Sequence, residues 1–202
     1  MPETPETLIP EQPTPTAPAS SEADSPGPAS PRNLLAYFSR PGENLHYETR
    51  ADLEVGHTET VAAMIAAATN VDVYRIEPSE DYPHSYRETM LRALKEQRLG
   101  TLPALARPLP DISGYSAIVL GTPVWNLRLP MVIRTFLAGI DLTGRTVYPF
   151  VTYGLSPIFQ VLDDLETLCP DGALESDLLV VRGEEASASR AQVDTWVRRH
   201  GL

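Results

Sequence analysis

Five short apolar segments, separated by helical patterns, are the feature that most constrains the fold of this chain. Each segment has the length of a strand and is almost continuously apolar, which is typical of strands covered on both faces. They span residues 34–38, 71–76, 117–121, 146–151 and 178–181. Apolar residues recur at helical spacing over 58–68, 84–99, 130–138, 156–168 and 187–200.

A strand followed by a helix, repeated in this way, predicts an α/β fold. We expect a five-stranded doubly wound parallel sheet, with right-handed crossovers and helices on both faces. Five strands favour the order 2-1-3-4-5 over the six-stranded dinucleotide-binding arrangement. In the second helix, the pattern places Tyr86, Met90, Leu91 and Leu94 on one side.

The first 32 residues differ from the rest in composition. They contain nine of the 20 prolines, and their only large aliphatic side chains are Leu8 and Ile9. Such a segment buries too little apolar surface to offset the entropy of ordering, so we expect a disordered tail over 1–32 and one domain over 33–202. Early proteolysis before Asn33, leaving a stable core, would support this division.

The charge of the chain excludes some partners. The formal net charge is −11, of which the tail contributes −4 through five acidic residues and Arg32. Lysine occurs once, at Lys95, and the arginines are scattered. Binding to nucleic acid requires clustered cations, so we expect no nucleic-acid partner.

Cysteine usage, histidine spacing and hydropathy bear on disulfides, metal sites and cellular location. Cys169 is the only cysteine, which excludes an intrachain disulfide or a thiolate metal site. The four histidines lie far apart in the sequence, so we expect no metal site. No apolar run is long enough to cross a membrane and no secretory signal is visible, so we expect a cytoplasmic protein without membrane contact.

The candidate ligand site lies where ligands bind in such sheets, beyond the carboxyl ends of the strands at the point where the strand order reverses. Three loops meet there, and their residues are Ser39 to Thr58 after the first strand, Thr122 to Pro130 after the third and Thr152 to Pro157 after the fourth. A hydroxyl, a glycine and a helix start in the first loop suit a phosphate. Trp125, between two prolines, suits a flat ring.

Each loop also has an explanation that needs no ligand. Thr58 could simply be the N-cap of the first helix, and Trp125 could be core at a strand end. Ser156 could cap the fourth helix, with Pro157 at its first position. Gly154 to Ile158 is similar to a nucleophile elbow, but its closing glycine is absent and no acid–histidine pair follows.

Four segments together resemble the flavodoxin-like family in order and spacing. They are Leu34 to Arg40, Gly56 to Glu59, Val119 to Trp125 and Pro149 to Gly154. The resemblance implies FMN as cofactor, with its phosphate on the first loop and its isoalloxazine between the other two. The implied phosphate contacts are Ser39, Arg40, Gly56, His57 and Thr58, and the implied ring contacts are Pro123, Val124, Trp125, Asn126, Thr152, Tyr153, Gly154 and Ser156.

The chain departs from the family pattern in its loops. Val55 and His57 stand where threonine and asparagine are usual, and a segment is inserted between Arg40 and Gly56. Leu127 and Leu155 replace glycines, which predicts a tighter ring pocket or a lower flavin affinity. The insertion could shape a substrate cleft or be a surface hairpin.

The predicted function is that of an FMN-binding redox protein, in which the flavin supplies the chemistry. Two versions stay open: an electron carrier that docks on a partner protein, or an enzyme that takes hydride from NAD(P)H and reduces a quinone-like acceptor. A flavodoxin-like binding or regulatory module that has lost its flavin is the alternative. The third loop contains no lysine or arginine, which predicts a low reduction potential.

Overall fold

The computed structural model describes residues 32–170 and 173–202. The predicted tail over 1–32 therefore lies outside the described residues, except for Arg32, which is already the first residue of a strand. The strands are Arg32–Tyr37 (β1), Gly42–His46 (β2), Thr49–Leu53 (β3), Val71–Arg75 (β4), Tyr115–Pro123 (β5), Thr146–Tyr153 (β6) and Leu179–Arg182 (β7). The α-helices are His57–Ala68 (α1), Tyr86–Leu99 (α2), Met131–Ala138 (α3), Phe159–Leu168 (α4) and Arg190–His200 (α5), and a 3₁₀ helix spans Gly183–Ala188.

The main sheet has five parallel strands in the order β4-β1-β5-β6-β7. Counted without the inserted pair β2 and β3, this is the predicted order 2-1-3-4-5, so the fold prediction is confirmed. Alternate β1 residues face opposite sides of the sheet, since successive side chains in a strand point in opposite directions. Leu35 packs with α1 and α5, while Leu34 packs with α2, α3 and α4.

The inserted segment forms an antiparallel hairpin of β2 and β3, separate from the main sheet. It leaves the carboxyl end of β1 and returns to the start of α1. The hairpin is anchored at its base, where the Glu43 carboxylate accepts a hydrogen bond from the Tyr86 amide at 2.8 Å. Arg50 also lies over the Tyr86 ring, 3.9 Å from its centroid.

The predicted face of α2 is wrong at Leu91, although Met90 of the same face packs against the core. Leu91 is exposed, and the buried residues are Thr89, Ala93 and Glu96. The Glu96 carboxylate can be buried because it accepts hydrogen bonds from the Tyr82 hydroxyl at 2.8 Å and from Arg92 at 2.9 Å. The buried face of α2 therefore includes a paired charged side chain, which apolar periodicity does not predict.

Two predicted helix starts are also wrong. Helix α1 begins at His57 with Gly56 as its N-cap, so Thr58 does not cap it. Helix α4 begins at Phe159, after Ile158, and not at Ser156. Within the described part of the chain, no helix is both long and apolar enough to cross a membrane.

Candidate functional site

Three loops converge at one edge of the sheet because β1, β5 and β6 are neighbours and run in the same direction. A single cleft lies between them. All of the predicted site residues except Gly56 line it: Ser39, Arg40, His57, Thr58, Pro123, Val124, Trp125, Asn126, Thr152, Tyr153, Gly154 and Ser156. The structure thus brings together residues that lie more than 100 positions apart in the sequence.

Gly56 supports the first loop without lining the cleft. A Cβ atom at this position would lie 2.6 Å from the Arg40 carbonyl oxygen and still closer to the Ser39 hydroxyl. Real Cβ atoms do not approach other atoms so closely, so the loop can pack in this way only around a glycine. Gly56 is therefore required for the close approach of the β1 end to the start of α1.

Thr152 connects all three loops. Its hydroxyl shares a hydrogen bond with the Thr58 hydroxyl at 2.7 Å, and both side chains are buried. Its carbonyl oxygen accepts a hydrogen bond from the Val124 amide at 3.0 Å. These two contacts hold the loops at a set distance from one another, which is the preorganisation that a ligand site needs.

The start of α1 offers donors to an anion. The Ser39 hydroxyl accepts the Glu59 amide at 3.1 Å, so a residue from the end of β1 acts as the cap of this helix. The His57 and Thr58 amides have no hydrogen-bond acceptor among residues 32–170 and 173–202. Unpaired amides at a helix start, together with the helix dipole, attract a phosphate or carboxylate.

His57 stands at the same end of the cleft. Its Nε2 atom is buried and has no hydrogen-bond partner in the described structure. Burial lowers the pKa of His57 below that of a free imidazole, although the carboxylate of Glu184 acts in the opposite direction. A Cβ atom on Gly183 would lie 2.6 Å from the His57 ring, so this glycine makes room for the imidazole.

The terminal nitrogens of Arg40 are engaged away from the cleft. One terminal nitrogen donates to the carbonyl oxygens of Pro83 and His84, each at 3.0 Å, and the other donates to the Glu43 carbonyl oxygen. The guanidinium group therefore joins the hairpin to the segment before α2. Arg40 lines the cleft, and its buried Nε atom has no hydrogen-bond partner among the described residues. A contact of Arg40 with a phosphate therefore stays a prediction.

Trp125 lies largely in the core. It exposes 7% of its surface and packs edge-on against Tyr82, with ring centroids 4.7 Å apart, and against Phe38 at 5.1 Å. This matches the interpretation that needed no ligand, although the residue still contributes to the wall of the cleft. The Trp125 ring therefore has no open face on which a flavin could stack.

The turn that follows Trp125 is strained. Asn126 and Leu127 have φ angles of 47° and 71°, in the left-handed region that favours glycine. Trp125 and Arg128 exchange two backbone hydrogen bonds of 3.0 Å around them. The side chain of Asn126 donates to the Met90 carbonyl at 3.2 Å, which fastens the turn to α2.

Several residues of the cleft were missed from the sequence. Leu155, which the sequence placed at the ring pocket as a replacement for a glycine, also lines the cleft. The missed residues are Asn44 and Leu45 of the hairpin, Tyr86 and Met90 of α2, and Gly183 and Glu184 after β7. The last pair could have been found, because it also follows the carboxyl end of a parallel strand. The insertion was predicted to shape a cleft or to be a surface hairpin, but tertiary packing decides which of its residues, and which residues of α2, reach the cleft.

Glu184 places a negative charge in the cleft. Its side chain is fully covered, its carboxylate accepts the Tyr47 amide at 2.5 Å, and Arg182 pairs with it at 3.2 Å. Burial raises the pKa of this carboxyl group, but the amide and arginine contacts outweigh burial and leave its pKa below the usual value. Glu184 is therefore ionised at neutral pH.

The fold and the cleft agree with the comparison of the sequence with protein families. The flavodoxin family model matches residues 51–200, and the chain belongs to this family. Family membership confirms the resemblance seen in the loop motifs and supports FMN as the cofactor. No curated protein sequence matches the chain.

Solved structures show the same fold. A protein from Bacteroides eggerthii assigned as a flavoprotein is 25% identical with a TM-score of 0.66, and the match covers 86% of this chain and 99% of that one. Its counterpart from Bacteroides uniformis is 26% identical with a TM-score of 0.63, over 83% and 98%. A flavoprotein from Lactobacillus acidophilus, solved in complex with FMN, is 18% identical with a TM-score of 0.60, over 83% and 99%.

Proposed function

We propose that this chain is an FMN-dependent redox protein that holds the flavin in the cleft between its three loops. The observation that carries the proposal is the convergence of the family's three flavin loops on one cleft, with Thr152 bonded to the other two. The FMN complex of the Lactobacillus acidophilus flavoprotein, which has the same fold, supports it. When bound, FMN supplies the electron and hydride transfer.

The residues at the first loop fit the phosphate of FMN. The free amides of His57 and Thr58 lie at the start of α1, and the buried Nε2 of His57 lacks a partner among the described residues. These groups would hold the phosphate, since buried polar atoms without partners are unfavourable unless a ligand pairs with them. The residues of the second and third loops, with Tyr153 and the wall formed by Trp125, would hold the ring.

Of the two redox roles, we propose the enzyme: reduction of a small, flat acceptor such as a quinone, with NAD(P)H as hydride donor. The supporting feature is the hairpin, which adds Asn44 and Leu45 to the wall of the cleft. Leu45 would be 3.0 Å from a Cβ atom on Gly154, so the hairpin packs directly on the third loop. A cleft walled in this way suits a small substrate better than a second protein.

Flavin binding is tested first, by titrating the apoprotein with FMN and following the quenching of flavin fluorescence. We expect saturable binding with one flavin per chain and a shifted visible spectrum. A protein that stays colourless in excess FMN would contradict the proposal and favour a binding module that has lost its flavin.

The enzymatic role is tested by following NAD(P)H oxidation at 340 nm by the flavin-loaded protein, with and without a quinone. Turnover that depends on both substrates would support the enzyme. Slow oxidation of NAD(P)H, combined with rapid electron exchange with a redox partner protein, would instead identify an electron carrier.

A further inference from the structure

The phosphate end of the cleft has an unusual balance of charge. Arg40, His57 and Glu184 are the only lining residues among those described that can be charged at neutral pH. Arg40 is the permanent cation of this lining, but both of its terminal nitrogens are bound to backbone carbonyls. His57 is the lining residue that can gain a positive charge when a phosphate dianion binds beside the ionised Glu184.

Resting on the proposed binding of FMN, we propose that His57 takes up a proton when the phosphate of FMN binds, and thereby selects the phosphorylated flavin over riboflavin most strongly at the acidic side of neutrality. Asparagine is usual at this position in the family. It can donate a hydrogen bond but cannot change its charge. The histidine makes phosphate binding depend on pH in this chain.

The groups that face His57 determine whether its protonated form is favoured. Glu184, from the 3₁₀ helix, favours the imidazolium, whereas His46, at the end of β2, opposes it when protonated. Arg182 is paired with Glu184. Glu59, which lies on α1 with His57, is paired with Arg75 at 2.7 Å. Burial is the largest influence and keeps His57 neutral in the free protein at neutral pH.

Binding of a dianion beside the imidazole reverses this preference, because an opposite charge within a few ångströms raises the pKa of a histidine. The bound protein then carries more protons than the free protein. By linkage, FMN affinity falls as pH rises from the His57 pKa of the free protein to that of the complex. Riboflavin has no phosphate, so its affinity does not follow this change.

The experiment compares FMN and riboflavin binding to the wild-type protein and to the His57→Asn variant from about pH 6 to about pH 8.5. For the wild type, we expect FMN affinity to fall by up to about tenfold per pH unit between the His57 pKa of the free protein and that of the complex. Riboflavin affinity should not change with pH. For His57→Asn, the affinities for FMN and for riboflavin should both be independent of pH above about pH 6.5, where the phosphate of FMN is a dianion.

Calorimetry in buffers of different ionisation enthalpy measures the protons directly. At neutral pH, we expect uptake of up to about one proton per FMN in the wild type and none in His57→Asn. In the wild type alone, the NMR titration of one histidine should move to higher pH with FMN and not with riboflavin. This measurement keeps the test valid if the variant does not fold.

The outcomes separate this inference from the proposed function. If FMN binds with the same pH profile in both proteins and without proton uptake, His57 is a neutral donor and the inference is wrong, while FMN binding stands. If neither flavin binds to the wild type, the proposed function itself is wrong.

Discussion

Gly56 is a single residue on which the geometry of the first loop depends. An added Cβ would collide with the backbone of Arg40 and the hydroxyl of Ser39, and neither can move without shifting the end of β1. Ser39 also caps α1 through the Glu59 amide, so a shift would disturb the helix start that we propose holds the phosphate. The structure shows a steric reason for this glycine, and its predicted contact with the phosphate stays a prediction.

The Gly56→Ala variant should therefore lower both stability and FMN affinity. We expect a loss of about 1–3 kcal/mol in the free energy of unfolding, as for other overpacked sites, and weaker FMN binding. Gly114→Ala is the matched control, since a Cβ there meets no atom within 4 Å. Denaturant unfolding and FMN titration of both variants check this, and equal behaviour of the two would contradict it.

Cys169 illustrates burial at the residue scale. It is a free cysteine with 7% of its surface exposed, and burial raises the pKa of its thiol to about 11. The thiolate is the reactive form, so a raised pKa suppresses reaction at neutral and mildly alkaline pH.

We expect the native protein to react with an aromatic disulfide reagent at about pH 8 at least roughly 100-fold more slowly than the unfolded chain. The rate should rise with pH as the solution approaches the thiol pKa. Rapid labelling of the folded protein at neutral pH would show that Cys169 is accessible.

At the scale of elements, a buried ionic network joins the second loop to α4. The Asp164 carboxylate exposes 3% of its surface and accepts hydrogen bonds from Arg128 at 2.6 Å and from the Leu129 amide at 3.1 Å. It also forms an ion pair with Arg134. The turn at Asn126 and Leu127 is left-handed and unfavourable, so it requires such anchoring from both sides. Asp164 therefore holds the second loop in position against α4.

Asp164→Asn should release the second loop. We expect a loss of about 3 kcal/mol in stability, at the lower end for a broken buried ion pair, because the half-exposed Arg128 can turn to solvent. FMN affinity should fall as well. Asp163→Asn, at the exposed neighbouring position, is the control and should be close to neutral. Thermal unfolding with and without FMN measures both effects.

The hairpin shows how one element can unite the site. Its base contacts α2 through Tyr86, its strand β2 packs on the third loop through Leu45, and its tip bonds to Glu184 through the Tyr47 amide. The two interpretations of this insertion left open by the sequence were not exclusive. It is a hairpin, and two of its residues also shape the cleft.

At the scale of the whole molecule, the acidic character of the chain bears on the flavin. The third loop contains no lysine or arginine, the cleft contains the ionised Glu184, and the formal net charge of the chain is −11. Negative surroundings disfavour the reduced, anionic form of a bound flavin. We expect a reduction potential below that of free FMN, measured by spectroelectrochemical titration.

Two lysine substitutions test whether nearby charge sets the reduction potential of the bound flavin. Ser156→Lys adds a cation in the third loop and should raise the potential, whereas Ser187→Lys adds the same charge at an exposed position of the 3₁₀ helix outside the cleft lining and should change it less. A wild-type potential above that of free FMN would show that other groups outweigh the acidic surroundings.

Ligand binding should also stabilise the whole fold. FMN at about 100 times its dissociation constant should add about 2.7 kcal/mol to the free energy of unfolding. Riboflavin at the same concentration should add less, because it lacks the group that the α1 amides would hold. Calorimetric scans with each flavin test this, and identical shifts would contradict a phosphate site at α1.

The sequence by itself determined the sheet and the three loops. Continuous apolar runs require cover on both faces, and strand–helix alternation permits few topologies, so local pattern was sufficient for the order of the strands. The loops followed, because the carboxyl ends of neighbouring parallel strands must meet at one edge.

Only the tertiary structure decided the details that arise between distant segments. Ser39 caps α1 from 20 residues earlier in the chain. One terminal nitrogen of Arg40 donates to carbonyls more than 40 residues away, and Trp125 is enclosed by Tyr82 and Phe38. These contacts depend on where separate elements pack, and local spacing does not encode that. The same holds for the hairpin and Glu184, which complete the cleft beside His57.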